Sequence, residues 1–317
     1  MRRPAPGISI DPNDVPAPRL ALTAMATPAV DIVIVSFNCR ELLSACLDSI
    51  ARSPTYHGEV WAHVVDNAST DGTPAMLRDS YPQIRTRALG ENAGFSAGNN
   101  IALRECTAPW VLVLNPDAEL RDGVLDHLLD VVGEQPDIGM IGCRLEQPDG
   151  TFDHAAKRSF PTPLAAIAHF TKLGRRSAAG AAMAQYRAPT VDEHGMGDVD
   201  AVNGAFMLVR REAMEQVGLF DEGYWLYMED LDWCRRFHDA GWRVVYDGRV
   251  TAMHVKGGAA GKVRAPKQNI AFHRGMGRFY RRHEAGKRPL LDWAVFSGIL
   301  LKLGLSLARG VAVRRGL

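Results

Sequence analysis

With 317 residues, 46% of them hydrophobic and 23% charged, the chain is long enough for one large α/β unit plus an appendage, and too apolar to be disordered throughout. A net charge of +1 conceals a split: Arg249 to Leu317 hold 15 Lys/Arg against two acids, and the residues before them hold 22 bases against 34 acids. A basic tail on an acidic body implies an anionic surface as partner. Nucleic acid is excluded as that surface, because no helix-turn-helix, zinc module or aromatic-basic sheet motif accompanies the charge. The five cysteines (Cys39, Cys46, Cys106, Cys143, Cys234) are odd in number and form no CxxC pair, which points to reduced thiols in a cytoplasmic setting rather than a disulfide framework or zinc site.

Residues 1–29 are rich in Pro and Ala, lack the apolar core of a secretory signal and read as a disordered lead-in. Asp31 to Val35 predicts a first strand ending in Ser36-Phe37-Asn38, and the spacing of Leu42, Leu43, Cys46, Leu47 and Ile50 predicts a helix over 41–52. Val60 to Val65 is a second strand, followed by the polar loop Asp66-Asn67-Ala68-Ser69-Thr70-Asp71-Gly72 and a helix. Ile84 to Leu89 is a third, after which Glu91 to Phe95 opens a helix running to about Cys106. Trp110 to Leu114 is the fourth, too short for a helix, stopped by Asn115-Pro116-Asp117, and expected at the centre of a parallel sheet. Strands alternating with helices in this way indicate βαβ units.

Open α/β sheets bind ligands beyond the carboxyl ends of their strands, and here each such end carries Ser, Asn or Asp. Neither GxGxxG nor GKS/T is present, so a phosphate must be met without a glycine-rich or lysine loop. A carboxylate such as Asp117 can hold a divalent cation, and the cation can hold a diphosphate, although Asn-Pro-Asp is also good turn chemistry with no ligand at all.

A helix over 122–132 and a strand over 138–145 follow; Thr151 to Asp198 is irregular and reveals no chemistry. Val199 to Val209 reads as one strand whose central Gly204 marks a close approach to the backbone. Glu229, Asp230 and Asp232 open a helix running to Asp239, and Trp242–Tyr246 and Val250–Met253 read as two short strands, the second closed by His254. Acids in a first helical turn are favoured by the macrodipole alone. Three within four residues repel one another, however, and apolar neighbours imply partial burial, which suits a general base.

The ordered set Ser36-Phe37-Asn38, Asp66 to Gly72, Asn92-Ala93-Gly94-Phe95 with Asn99, Asn115-Pro116-Asp117, Gly204-Ala205-Phe206, Glu229-Asp230 and the terminal His254 resembles the family 2 inverting glycosyltransferases of GT-A fold. The resemblance spans Val30 to His254. It implies a Rossmann-like nucleotide-sugar-binding domain over 30–255 with a mixed, mostly parallel sheet, followed over 256–317 by a helical, basic and apolar C-terminal tail. Within the family the chain looks most like bacterial rhamnosyltransferases acting on polyprenyl-diphosphate-linked GlcNAc in cell-wall synthesis; galactofuranosyl- and other sugar transferases share the pattern. The implied partners are a nucleoside-diphosphate sugar, dTDP-rhamnose above others, and a polyprenyl-diphosphate-linked saccharide acceptor.

Residue by residue, the resemblance implies that Val35, Ser36, Asn38, Asp66 and Asn67 hold the nucleotide, with Asn92, Gly94, Asn99 and Asn115 in the same donor pocket. Asp117 and His254 would bind Mg²⁺ or Mn²⁺, Asp230 would be the catalytic base, and Glu229 would orient the acceptor. Asn115 stands where the family has the first Asp of its DxD motif, so the site loses one charge. Two other readings are a sugar nucleotidyltransferase, disfavoured because the first loop lacks its Gly, Arg and Lys, and a catalytically idle nucleotide-sugar-binding partner, which Asn115 keeps in play.

In the tail, the uninterrupted apolar run from Trp293 to Leu301 is nine residues, where a membrane span needs about 20. Lys302, Ser306 and Arg309 recur at helical spacing as a polar stripe, which suits a helix lying on an anionic membrane, at the cytoplasmic face and peripheral. Packing against the body or against a second copy in a homo-oligomer is the competing expectation.

Overall fold

The computed structural model describes residues 29–161, 188, 190–255, 257–258 and 265–314. The expected lead-in over 1–28, most of the irregular stretch (162–187) and part of the basic tail (256, 259–264) lie outside the described residues.

The elements in chain order are β1 (Val30–Ser36), α1 (Arg40–Arg52), β2 (Val60–Asp66), α2 (Thr73–Ser80), β3 (Arg85–Ala88), α3 (Phe95–Leu103), β4 (Trp110–Leu114), β5 (Ala118–Glu119), α4 (Val124–Glu134) and β6 (Ile138–Glu146). There follow β7 (Lys157–Arg158), β8 (Met196–Asp198), β9 (Ala201–Val202), β10 (Phe206–Arg210), α5 (Arg211–Val217), α6 (Glu229–Asp239), β11 (Arg243–His254), α7 (Pro266–His283) and α8 (Pro289–Arg314). Nine strands form one sheet in the order β3-β2-β1-β4-β10-β6-β11-β5, with β8 also on β11; β7 and β9 pair separately.

β1 to β4 are mutually parallel where they pair, as the βαβ alternation requires. β1 and β4 are buried along their whole length, which is why both read as largely branched apolar runs, and the one charge among them, Asp31, is bonded by His63 and the Thr107 and Ala108 N–H groups. Beyond β4 the sheet is mixed: β10 runs antiparallel to both β4 and β6, so the fourth strand has a parallel neighbour on one side only. That reversal sets the start of β10 beside the carboxyl end of β4, with Phe206 opposite Leu114.

Two expectations are corrected here. The apolar run over 199–209 is two strands, β9 and β10, separated by a turn at Asn203-Gly204. The turn exists because the Gly204 N–H donates to the Asp230 carboxylate at 3.2 Å. Conversely, the two short strands expected over 242–253 are one, β11, with an irregularity between Asp247 and Thr251. Asp247-Gly248 reads as a turn, but it is a bulge, in which the Asp247 carboxylate accepts from the Arg249 backbone and from His127.

The basic region folds as a hairpin of α7 and α8, joined by Tyr280, Val295 and Ile299. Part of its charge meets the acidic body, Arg278 and Arg282 both pairing with Asp221, and in the reverse sense Arg235 of α6 reaches Glu284. The polar stripe on α8 does not face outward as expected. The Ser306 hydroxyl accepts from the Asn269 amide at 2.7 Å, so this line turns toward α7; the Arg309 side chain lies outside the described residues. The outer face is apolar instead, with Leu290 88% and Trp293 73% exposed and Leu300, Leu301 and Leu305 alongside them.

The turn before α3 also depends on close approach. Gly94 has φ +92°, and a Cβ there would lie 2.4 Å from the Trp225 carbonyl oxygen. Gly94→Ala is therefore expected to lower stability by about 3 kcal/mol, from backbone strain and the displaced 225 loop. Gly123→Ala, at φ +76° in open space, should cost only about 1 kcal/mol. Denaturant midpoints of the two variants check the difference.

Candidate active site at the carboxyl edge of the sheet

The first two loops are locked together at the ends of β1 and β2, where Ser36 lies opposite Asp66. Asn38, in a left-handed conformation, accepts from the Thr70 N–H at 2.8 Å and donates its own N–H to the Ser69 hydroxyl at 2.9 Å. Asp66 is buried at the bottom of this cleft. One of its carboxylate oxygens accepts from the Ser69 N–H, and Oδ1 has no partner within the described chain.

Not all of the expected donor residues face an open position. Asn67 uses both ends of its amide inside the protein, donating to the Gly94 carbonyl and accepting from the Ala93 N–H, so it braces the third loop. Asn92 accepts from the Gly94 N–H. Val35 packs against α3 at Gly98, where an added Cβ would lie 2.9 Å from its methyl group. Asn99 donates to the Phe95 carbonyl, but its Oδ1 is buried and unpartnered, as is Oδ1 of Asn115. Three buried oxygens without partners (Asp66, Asn99, Asn115) along one edge of one sheet leave acceptors for a polar ligand. Asn100, one residue on from Asn99, instead fastens α3 to Phe220 and Glu222.

Asp117 and His254 meet because β5 pairs with the last residues of β11, Ala118 opposite His254. The Val255 N–H donates to the Asp117 carbonyl at 2.8 Å, and His254 Nε2 lies 3.5 Å from the Asp117 carboxylate. A third group was not legible in the sequence: the buried Asp153 faces His254 Nδ1 at 3.4 Å, which turns the other ring nitrogen toward Asp117. Burial opposes a charge on His254, but the two carboxylates override it and raise its pKa to about 9. The Asp117 carboxylate and the His254 ring nitrogen that faces it form an O/N donor pair suited to a divalent cation, which requires the imidazole to be neutral, and Asp153 on the far ring nitrogen orients it.

The acidic helix α6 begins after two successive left-handed residues, Tyr227 and Met228, with φ of 71° and 75°. This turn is wedged between α3 and α7: the Trp225 carbonyl accepts from the Phe95 N–H at 2.8 Å, and α7 comes so close that a Cβ on Gly275 would lie 2.9 Å from the Tyr227 carbonyl oxygen. The three acids then diverge. Asp232 points to the tail, accepting from His283 at 2.8 Å and Arg236 at 2.9 Å; burial works against its charge, yet His283 and Arg236 hold its carboxyl below the usual range. Glu229 is buried beside Asp230, and burial together with that neighbour pushes its carboxyl well above the usual range. Asp230 is bonded by Arg158 at 2.7 Å and by the Gly204 N–H at 3.2 Å.

Asp230 thus sits on the Asn203–Ala205 turn, and the Ala205 carbonyl accepts from the Asn115 N–H at 3.0 Å. Through that turn, Asp230 and Glu229 share the carboxyl edge of β4 with Asn115, Asp117 and His254. Arg158, like Asp153, comes from the stretch to which the sequence assigned no chemistry.

Residues 28–272 match the profile described as glycosyltransferase like family 2. The chain is 31% identical over 289 residues, 87% of its own length and 92% of the relative's, to the N-acetylglucosaminyl-diphospho-decaprenol L-rhamnosyltransferase of Mycobacterium tuberculosis. It is 29% identical over 169 residues, 51% of this chain and 60% of the relative, to the rhamnosyltransferase WbbL of Escherichia coli K12. In fold it is similar to the mannosyltransferase PcManGT of Pyrobaculum calidifontis, solved with GDP-Man and Mn²⁺ (TM-score 0.55, 19% identity, 91% of this chain and 76% of that one). It is also similar to GalNAc-T7 solved with UDP, GalNAc and Mn²⁺ (TM-score 0.54, 11% identity, 90% and 58%).

The raised pKa of His254 gives a stability signature of the metal-free protein. With about 9 in the folded state against 6.5 unfolded, its contribution is complete below about pH 6.5 and is lost as pH rises through 9. Melting in EDTA should therefore show stability falling between pH 6.5 and 9 by roughly 3 kcal/mol, a fall that His254→Asn lacks.

Proposed function

The chain belongs to glycosyltransferase family 2 and is a hexosyltransferase, and from that premise we propose that it moves L-rhamnose from dTDP-rhamnose to a GlcNAc-diphosphoryl-polyprenol acceptor with inversion, aided by Mg²⁺ or Mn²⁺. The observation that carries this reading is the meeting of Asp117 and His254 on the same strand edge as Glu229 and Asp230. The mycobacterial relative, by its name, joins rhamnose to a lipid-linked GlcNAc, and its similarity runs over most of both chains.

In this reading the unpartnered oxygens of Asp66 and Asn99 receive the nucleoside, with Ser36, Asn38, Asn67, Asn92, Gly94 and Val35 shaping the pocket. Asp117 and His254, with Asn115 beside them, hold the divalent ion, and Asp153 fixes the imidazole. A bound cation would neutralise the charge that develops on the departing diphosphate, a task for which the chain has no lysine loop. Asp230 accepts the proton of the attacking hydroxyl as its oxygen bonds the sugar, a contribution of about 10²–10⁴-fold. Glu229, carrying its own proton, donates a hydrogen bond that orients the acceptor. One base and, among the described residues, no second positioned nucleophile give a single displacement.

The tail supports a membrane seat. Against the expectation from the nine-residue apolar run, Pro289–Ala308 are long and apolar enough to cross a bilayer by length and composition, because the polar breaks in this stretch are few, and the exposed face of α8 is apolar. Arg281, Lys287 and Arg288 near its start, and Arg274 in the middle of α7, are exposed and carry no ion pair among the described residues. We assign residues 256–317 to an anionic, cytoplasmic membrane surface, where a polyprenyl-linked acceptor is held.

Three measurements test this reading. Release of dTDP from dTDP-rhamnose should require both GlcNAc-diphosphoryl-polyprenol and Mg²⁺ or Mn²⁺; a donor panel in which another sugar nucleotide alone is consumed rejects the rhamnose assignment. Asp230→Asn should lose transfer by at least about 10²-fold while binding donor as before, as read by calorimetry. Removing residues 289–317, which leaves the His283–Asp232 contact in place, should release the protein from vesicles containing anionic lipid; pelleting as strong as that of the full chain rejects the membrane seat.

A further inference from the structure

Asp230 and Arg158 form a buried ion pair, their side chains only 12% and 10% exposed. The guanidinium does not depend on the carboxylate for its position, because the same Nη2 also donates to the Val202 carbonyl at 2.7 Å, across the β7–β9 pair. On the carboxylate, Oδ2 accepts from Arg158 at 2.7 Å and from the Gly204 N–H at 3.2 Å, which fills both of its lone-pair positions. Among the described residues Oδ1 accepts from the Leu231 N–H at 2.8 Å alone, and retains a position for one more.

We infer that Arg158 is a positioning residue for the transfer: it supplies the counter-charge of Asp230 and occupies Oδ2, so that Oδ1 is the atom that takes the acceptor's proton. This rests on the reading of Asp230 as the base. The titratable groups facing Asp230 are Arg158 from β7 and Glu229 and Cys234 from its own helix, while Asp232 lies next to Glu229. Asp232 is neutralised by Arg236 and His283, so Arg158 is the cation that offsets the pair of Glu229 and Asp230. Without it, two neighbouring buried carboxyls would compete to stay protonated.

The step balances as follows. The acceptor hydroxyl gives its proton to Oδ1 while its oxygen bonds the anomeric carbon of the donor. The bond from that carbon to the diphosphate oxygen breaks, and the electron pair leaves with the nucleoside diphosphate. Asp230 is then a neutral acid beside a guanidinium still held by Val202, an arrangement that favours return of the proton to solvent before the next turnover.

The test is the pH profile of kcat with dTDP-rhamnose and GlcNAc-diphosphoryl-polyprenol for the full chain, Arg158→Gln, Arg158→Lys and Asp230→Asn. Loss of the counter-charge in Arg158→Gln should move the acid limb up by about one pH unit, a loss of about tenfold on that limb, with recovery at higher pH and donor KM within about twofold. Lysine cannot reach Asp230 and the Val202 carbonyl in the same forked geometry, so Arg158→Lys should move the limb by a smaller, measurable amount. If Arg158→Gln does not fold, Arg158→Lys decides. A uniform loss at every pH, or an unmoved limb in the variants that fold while Asp230→Asn is inactive, overturns the inference alone. No turnover by the full chain, or full activity in Asp230→Asn, overturns the transferase reading and the inference with it.

Discussion

The site depends on a two-residue strand. β5 adds only Ala118 and Glu119 to the edge of the sheet, but its pairing with Met253 and His254 carries Asp117 back to the end of β11. Without that short antiparallel ladder, the loop after β4 would leave its carboxylate at the sheet edge with no imidazole to face. The register is fixed from both ends: the Asn115 carbonyl accepts from the Ala118 N–H, closing the Asn-Pro-Asp turn, and the Asp117 carbonyl accepts from Val255. Backbone hydrogen bonds thus set a side-chain geometry that no local propensity dictates.

The second organising fact is a change of strand direction. The four parallel strands alone would bring only their own loops to the carboxyl edge. β10 enters antiparallel, so the turn that precedes it arrives at the same edge and presents the Gly204 N–H to Asp230. A mixed sheet therefore places a donor half and an acid half side by side without a second domain.

How far the chain could be read in advance follows from these two facts. β1, β2, β4 and β6 were legible because strands buried over most of their length are mostly apolar, and α1 because its buried residues recur at helical spacing. Asp117, Asp230 and His254 were legible as polar residues at strand or helix ends. What stayed hidden shares a cause. Arg158 lies in a strand of two residues and Asp153 in a loop, both too short to show a period, and each earns its place through partners far along the chain. The run over 199–209 misled because an apolar stretch does not declare a change of partner strand at a glycine. The run over 242–253 misled in the opposite sense, since Asp-Gly serves turns and bulges alike.

The tie between the tail and the acid helix has a mechanical consequence. His283 closes α7 by bonding Asp232, a carboxylate with no exposure at all, and Asp232 lies in the first turn of the same helix as Asp230. A load on α8 passes through the Tyr280, Val295 and Ile299 contact into α7, and from there into α6. The hairpin is thereby a lever whose short arm is α6: whatever displaces α8 is passed on to the helix that carries Glu229 and Asp230.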